Sequence, residues 1–166
     1  MILLVECTVV CVLFTLVVAA VSLKDPLAGV HNWPPAIQQR ALELGLIQSG
    51  QLAGTKNVYG KKLAASLVIA AAFAAVVYLI NGARSFAAGF GYSYLIWTAA
   101  NWYDAFVIDC LWACHDRRVR IPGTEDMKEY QDYWFHIKGS LKGQALGLPV
   151  ALLAGGAAAL LTAVLR

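Results

Sequence analysis

Four long apolar stretches constrain what this chain can fold into more than any other feature of its sequence. They cover residues 2–22, 63–80, 86–113 and 144–165. A transmembrane helix needs roughly 20 mostly apolar residues to cross about 30 Å of hydrocarbon, and the four stretches satisfy that requirement. Their apolar residues show no alternation of period two, and a tight turn over residues 81–85 connects the middle two. The sequence therefore predicts an all-α integral membrane protein with four transmembrane helices in an antiparallel bundle.

The composition agrees with a lipid-covered surface. Hydrophobic residues make up 60% of the chain and charged residues only 14%, with a mean hydropathy of +0.63. A soluble domain carries about a quarter charged residues, because it needs a hydrated surface. The net charge of +3 is too small to indicate a nucleic-acid partner. We therefore expect a single membrane domain over residues 1–166, with membrane lipids and no nucleic acid as partners.

Basic residues concentrate in the two long connections between the apolar stretches. The connection over residues 23–62 carries Lys24, Arg40, Lys56, Lys61 and Lys62. The connection over residues 114–142 carries Arg117, Arg118, Arg120, Lys128, Lys138 and Lys142. Only Arg84 and Arg166 fall on the other side. Because Lys and Arg in short loops stay in the cytoplasm, we predict a multi-pass protein with both long loops cytoplasmic and both termini outside.

Each long loop also carries a helical pattern. In the first loop, Pro34 and Pro35 can begin a helix. Its predicted apolar face consists of Ile37, Ala41 and Leu44, opposite Gln38, Gln39, Arg40 and Glu43. In the second loop, Thr124 is a predicted N-cap. The apolar side chains that follow at helical spacing are Met127, Tyr130, Tyr133, Trp134, Ile137 and Leu141. We expect two amphipathic helices, the second of which lies in the membrane interface.

Small residues recur along the fourth stretch at every fourth position. They are Gly143, Gly147, Ala151, Gly155, Ala159 and Ala163. Such a stripe lets another helix backbone approach closely where no hydrophobic effect drives association. We interpret it as packing within one bundle; contact with a second copy of the chain, or with another membrane protein, is the alternative. Pro149 is expected to kink the same helix.

Three carboxylates lie within the apolar stretches, where charged side chains are costly: Glu6, Asp104 and Asp109. At 100° per residue, Asn101 and Asp104 share one helix face, whereas Asp109 falls on another. The sequence therefore predicts a polar pocket that opens toward the cytoplasm. The alternative is that Asn101 and Asp104 only hydrogen-bond to neighbouring helices. In that case Asp109 lies among hydrated lipid headgroups, and the Glu6 side chain extends outward to water.

The candidate site residues follow from this pocket. Asp104, Asp109 and His115 are the candidate acid–base residues. The candidate ligand-binding residues are Asn101, Tyr103, Arg117, Arg118, Arg120 and His136. In this hypothesis the arginines hold an anionic headgroup, although a purely topological role explains them equally well. The histidines lack the helical spacing of metal ligands and the cysteines lack a C-x-x-C motif, so no metal site is predicted and no cofactor can be named.

Three functions from different classes fit these features. The first is a membrane-embedded enzyme or binding protein that acts on a lipid or an amphipathic anionic ligand at the inner interface. The second is a non-catalytic subunit or scaffold whose loops dock a cytoplasmic partner. The third is a small oligomeric transporter that depends on Asp104 or Glu6. We favour the first, because polar residues converge on one end of the predicted bundle.

Overall fold

The computed structural model describes residues 1–49 and 58–165, and for residues 58–63 it describes the backbone only. Lys56 and Arg166, which entered the orientation argument, lie outside the described residues, as do the side chains of Lys61 and Lys62. Within the described part of the chain there are helices, turns and loops and no strand. The prediction of an all-α protein is confirmed.

Among the residues that the structure describes, five α-helices and one π-helix make up most of the chain. The α-helices are α1 (Ile2–Lys24), α2 (Pro35–Glu43), α3 (Val58–Leu79), α4 (Phe86–Tyr103) and α5 (Tyr133–Val164). A π-helix, Asp104–Ala113, continues directly from α4. Short 3₁₀ turns cover Pro26–Asn32, Arg117–Val119 and Lys128–Gln131.

Two of these helices, α1 and α5, are long and apolar enough to span a membrane. In α1 no residue is buried, although its sequence is almost entirely apolar. A shorter apolar run, Ala64–Leu79, lies within α3. The predicted first stretch, 2–22, therefore corresponds closely to α1, and the predicted second stretch, 63–80, lies almost wholly within α3.

The predicted third stretch, 86–113, is one continuous helix that changes from α to π at Asp104. π-Helices are rare, mostly a single turn long, and frequent at functional sites. Their i→i+5 hydrogen bonds place residues five apart on successive turns of one face. Asp104 and Asp109 are five residues apart, so a π-helix brings them closer to one face than the α-helical spacing of 100° per residue predicts.

The later part of the predicted interface helix, from Tyr133 onward, and the predicted fourth stretch, 144–165, belong to one helix, α5. Asp132 caps its first turn, since the Phe135 N–H donates to Asp132 Oδ1 at 3.0 Å. No proline interrupts residues 133–148, so the helix propagates from this cap without a break. It also continues through Pro149 to Val164. The structure therefore has one continuous helix where the sequence predicted two separate ones.

The chain divides into two compact units, and the first comprises Met1–Cys11, Asn57–Trp102 and Ser140–Arg166. In this unit α4 packs against the small residues of α5. The Trp97 indole N–H donates to the Gly143 carbonyl at 3.0 Å, and a side chain at Gly147 would overlap the Trp97 ring. Asn101 Nδ2 donates to the Ser140 carbonyl at 3.1 Å. These positions of the stripe are thus occupied by packing within the chain.

The turn that follows α3 belongs to the same unit. Gly82 has a φ of 65°, and the Ala83 N–H donates to the Val77 carbonyl at 2.9 Å, which satisfies a carbonyl in the last turn of α3. Beside it, Asn81 Nδ2 donates to Glu6 Oε2 at 2.8 Å. Glu6 therefore hydrogen-bonds to a neighbouring segment.

The second unit comprises Val12–Lys56 and Tyr103–Gly139, and it contains a hydrophobic core built from both long loops. The buried residues of this core are Val30, Trp33, Ile37, Ala41, Ile47, Val119, Ile121 and Tyr130. The predicted burial of Ile37 and Ala41 is confirmed, but Leu44 is 40% exposed at the end of α2. Gln38, placed on the polar face by its sequence, is 5% exposed and donates to the Trp33 carbonyl at 2.7 Å.

Thr124 and Tyr130 hold the second loop in place. Thr124 is not a helix N-cap: its hydroxyl donates to the Ile121 carbonyl at 2.8 Å. Tyr130 is fully buried, and its hydroxyl accepts the Ile121 N–H at 2.9 Å and lies 2.6 Å from the Thr124 hydroxyl. The apolar positions that predicted an interfacial helix are divided between this core and the start of α5.

Candidate functional site

The strongest candidate site is a histidine–carboxylate pair in the second unit. His136 lies in the first turn of α5, and Asp109 lies in the π-helix. Asp109 Oδ2 is 3.0 Å from His136 Nδ1, while the His136 side chain is 3% exposed and the Asp109 side chain 26%. A contact this short between a buried imidazole and a carboxylate sets the orientation of the ring.

Aromatic rings fix the imidazole from its sides. Trp33 and Phe135 both contact the His136 ring edge-on, with centroids 5.9 Å and 5.4 Å away. With its rotation restricted and Nδ1 bonded to Asp109, the ring presents only Nε2 for further interaction. That atom is buried and has no hydrogen-bond partner. A buried nitrogen without a partner is costly, which makes it a position where a ligand or water is expected.

A cavity of about 50 Å³ adjoins this pair. Besides Asp109 and His136, residues that line it include Val18 and Ser22 of α1, Asn32, Trp33, Ile108 and Trp112. Its volume suffices for a small polar group or a few waters. The lining is mostly apolar, with a few polar groups near the histidine, as is usual for small-molecule sites.

Asp104 belongs to the same environment. It is partly buried and lies five residues before Asp109 in the π-helix, but it does not line the cavity. Next to it, the Tyr103 hydroxyl hydrogen-bonds to the Thr15 hydroxyl of α1 at 2.9 Å. Of the two acidic residues of the π-helix, Asp109 is the one that contacts His136.

The arrangement supports hydrogen bonding and proton transfer. When the imidazole is neutral, the Asp109 carboxylate holds the proton on Nδ1 and leaves a lone pair on Nε2. This is the relationship in which a carboxylate prepares a histidine to act as a general base. In the described part of the chain no three His, Cys, Asp or Glu side chains cluster as metal ligands.

Two other predicted site residues lie elsewhere. Asn101 belongs to the first unit, where it bonds to Ser140 of α5. His115 is exposed, and its Nε2 is 3.0 Å from the Tyr133 hydroxyl. Neither residue lines the cavity.

The predicted arginine cluster is engaged in contacts within the second unit. Arg117 pairs with Asp126 at 3.0 Å, and both side chains are strongly exposed. Arg118 pairs with Asp116 at 2.7 Å. The hydrogen bonds from the Arg118 guanidinium and backbone N–H hold the pKa of the Asp116 carboxyl well below its usual value, and the Trp112 indole adds to this effect.

Arg120 contacts its own loop, and its Nε is buried without a hydrogen-bond partner. Its guanidinium donates to the backbone carbonyls of Glu125 and Cys114, and it lies over the Tyr130 ring at 4.9 Å. Each of these contacts belongs to the folded loop core. None of the three arginines lines the cavity.

Sequence reasoning named His136 and Asp109 but did not pair them. It also missed Trp33 and the α1 residues Val18 and Ser22, which line the same cavity. Nothing in the local pattern distinguishes these apolar and small residues from ordinary span or loop residues. Comparison of the chain with protein-family models, with curated proteins and with solved structures finds no match.

Proposed function

We propose that this chain is a multi-pass membrane protein that binds a lipid-like, amphipathic ligand at a polar site on its cytoplasmic side. The observation that carries the proposal is the unpaired, buried Nε2 of His136, which belongs to a ring oriented by Asp109 beside a cavity. A partnerless buried nitrogen is costly in a folded protein unless a ligand or water satisfies it.

The membrane arrangement is part of the proposal. In it α1, α3, α4 with its π-helical extension, and α5 cross the bilayer, and both long loops are cytoplasmic. The lengths and hydropathy of α1 and α5 support it. The excess of Lys and Arg in the two loops supports the orientation.

The position of the cavity agrees with a ligand that enters from the bilayer. Val18 and Ser22 lie near the end of α1 that carries Lys24, and the remaining lining residues come from the adjoining loops, the π-helix and the start of α5. In the proposed orientation these are all cytoplasmic ends. An amphipathic molecule can place its apolar chain against lipid-facing α1 and its polar end at His136.

An enzymatic role for the same site is the second form of this proposal. It is favoured by the Asp109–His136 contact, because a carboxylate that fixes the tautomer of a histidine prepares it for general-base catalysis. Binding comes first in either case, so a binding experiment tests both forms.

The test is lipid analysis of the protein purified in mild detergent. We expect wild type to retain a specific amphipathic molecule and His136→Gln to retain about tenfold less, the effect of one buried hydrogen bond. His115→Gln is the matched control, since His115 is exposed and lies outside the cavity. It should retain as much as wild type.

Thermal unfolding of each variant shows whether the loss reflects the site or the fold. If His136→Gln does not fold, Asp109→Asn preserves the size of the pair and should still reduce retention. The proposal is contradicted if all the folded variants carry the same lipids in the same amounts as wild type.

A further inference from the structure

We infer that the polar end of the bound molecule is an uncharged or cationic hydrogen-bond donor, a hydroxyl or an amine, and not an anionic headgroup. This inference rests on the proposed function, and it names the class of ligand that the His136 site selects. It departs from the sequence-based expectation of an anionic ligand, which rested on Arg117, Arg118 and Arg120.

The first argument is the chemistry of the unpaired atom. In the neutral form of the ring, Asp109 accepts the hydrogen bond from Nδ1–H of His136, and Nε2 is then an acceptor with a lone pair. Nε2 is buried and unpartnered, and the His136 side chain is 3% exposed. Only an O–H or N–H of the ligand can satisfy it. Phosphodiesters and carboxylates offer acceptors alone and would leave it unpaired.

The second argument is the charge around the cavity. Asp109 is the one acidic side chain among the described residues that line it, and no lysine or arginine of the described residues lines it. An anionic headgroup here would face like charge in a partly desolvated site, which is strongly unfavourable. A hydroxyl carries no such penalty, and an ammonium group is attracted by the carboxylate.

The third argument is where the arginines lie. The Arg118 side chain is committed to Asp116, Arg117 pairs with Asp126, and Arg120 donates to backbone carbonyls of its own loop. None of the three lines the cavity. An anion bound at His136 therefore has no arginine to neutralise it.

The fourth argument is the lining itself. Val18, Trp33, Ile108 and Trp112 provide apolar walls, and Ser22 adds a hydroxyl that can donate to or accept from a ligand hydroxyl. A cavity of about 50 Å³ holds a terminal hydroxyl or amine with its adjoining carbon. The rest of the chain of the ligand would lie along α1, whose apolar side chains are exposed.

The test uses photoreactive amphiphiles that share one alkyl chain and differ in headgroup. The four probes carry a primary alcohol, a primary amine, a methyl ether or a carboxylate. We expect the alcohol or the amine to label residues of the cavity in the full-length protein about tenfold more than the ether or the carboxylate, the effect of one buried hydrogen bond. Comparing the alcohol with the amine shows which donor the site prefers.

Two variants sharpen the result. His136→Phe removes the acceptor and should abolish the preference for alcohol over ether, while His115→Phe should leave that preference unchanged. If His136→Phe does not fold, Asp109→Asn serves in its place and should weaken the preference.

The inference is overturned if the carboxylate labels the cavity as well as the alcohol does, or if alcohol and ether label equally. It is also overturned if no probe labels the cavity, since neither a hydroxyl nor an amine headgroup would then bind there. His136-dependent lipid retention would survive each of these results, so the proposed function and this inference fail separately.

Discussion

Asp109 Oδ2 lies 3.0 Å from Nδ1 of His136, although one residue sits in a π-helix and the other in the first turn of α5. Between them runs a loop that ties its own backbone together through the buried Tyr130 hydroxyl. The distance between Asp109 and His136 therefore depends on the stability of this loop. Changes in the loop should affect both stability and the site.

Removing the Tyr130 hydroxyl should destabilise the second unit. Tyr130→Phe leaves the Ile121 N–H and the Thr124 hydroxyl without their buried partner. We expect a loss of about 1–3 kcal/mol in the free energy of unfolding. Tyr133→Phe is the control, because the Tyr133 hydroxyl bonds to His115 at an exposed position, and it should change stability by less than about 0.5 kcal/mol. Equal effects of the two substitutions would contradict the structural role of Tyr130.

A side chain at Gly147 should disrupt the packing of α4 against α5. A methyl group there would overlap the Trp97 ring, which itself donates to Gly143. Overpacking of this kind costs about 1–3 kcal/mol, which thermal unfolding in detergent can measure for Gly147→Ala.

The matched control is Gly156→Ala in the same helix, because nothing lies within 4 Å of a side chain added there. Alanine is favoured over glycine in a helix by about 0.5–1 kcal/mol, so this variant should be as stable as wild type or slightly more so. If Gly147→Ala is also as stable as wild type, Trp97 does not approach Gly147 as closely as the structure indicates.

The ion pair between Asp116 and Arg118 should make stability depend on pH in the acid range. Arg118 lowers the pKa of Asp116 in the folded protein, so the carboxylate stabilises the fold above its unfolded pKa. That stabilisation is lost as the pH falls below about 4. Asp116→Asn should therefore be less stable than wild type at neutral pH, and the difference should shrink on acidification.

Unfolding of both proteins at several pH values checks this expectation. Asp126→Asn is the control: Asp126 pairs with Arg117 but its side chain is 94% exposed, so it should contribute little at any pH. A difference between wild type and Asp116→Asn that stays constant with pH would rule out the ion pair as its cause.

The proposed orientation can be tested by labelling single cysteines. In a background that lacks Cys7, Cys11, Cys110 and Cys114, a membrane-impermeant thiol reagent should label Ser85→Cys in intact cells. It should label Asp126→Cys only after permeabilisation. Both positions are exposed in the structure, so burial does not explain a difference. Labelling of Asp126→Cys in intact cells would contradict cytoplasmic loops.

The helices themselves were largely predictable from local pattern. The apolar stretches 2–22 and 86–113 match α1 and the continuous helix Phe86–Ala113 to within two residues, because hydropathy and length are local properties of the sequence. The burial of Ile37 and Ala41 in α2 followed from their helical spacing. The start of α5 at Tyr133 could not be predicted from the pattern. A polar segment and an apolar segment can belong to one helix, so the change in polarity did not mark a helix boundary.

The sequence by itself determined which segments are apolar helices. It also identified charged residues within them, including Asp104 and Asp109, whose placement in an apolar helix costs free energy and requires an explanation. Only the tertiary structure decided which of those residues meet. The π-helix positions Asp109, and the start of α5 lies beside it, so His136 is the partner of Asp109 and the arginines are not. Both are consequences of contacts between segments far apart in the chain, and no local periodicity encodes them.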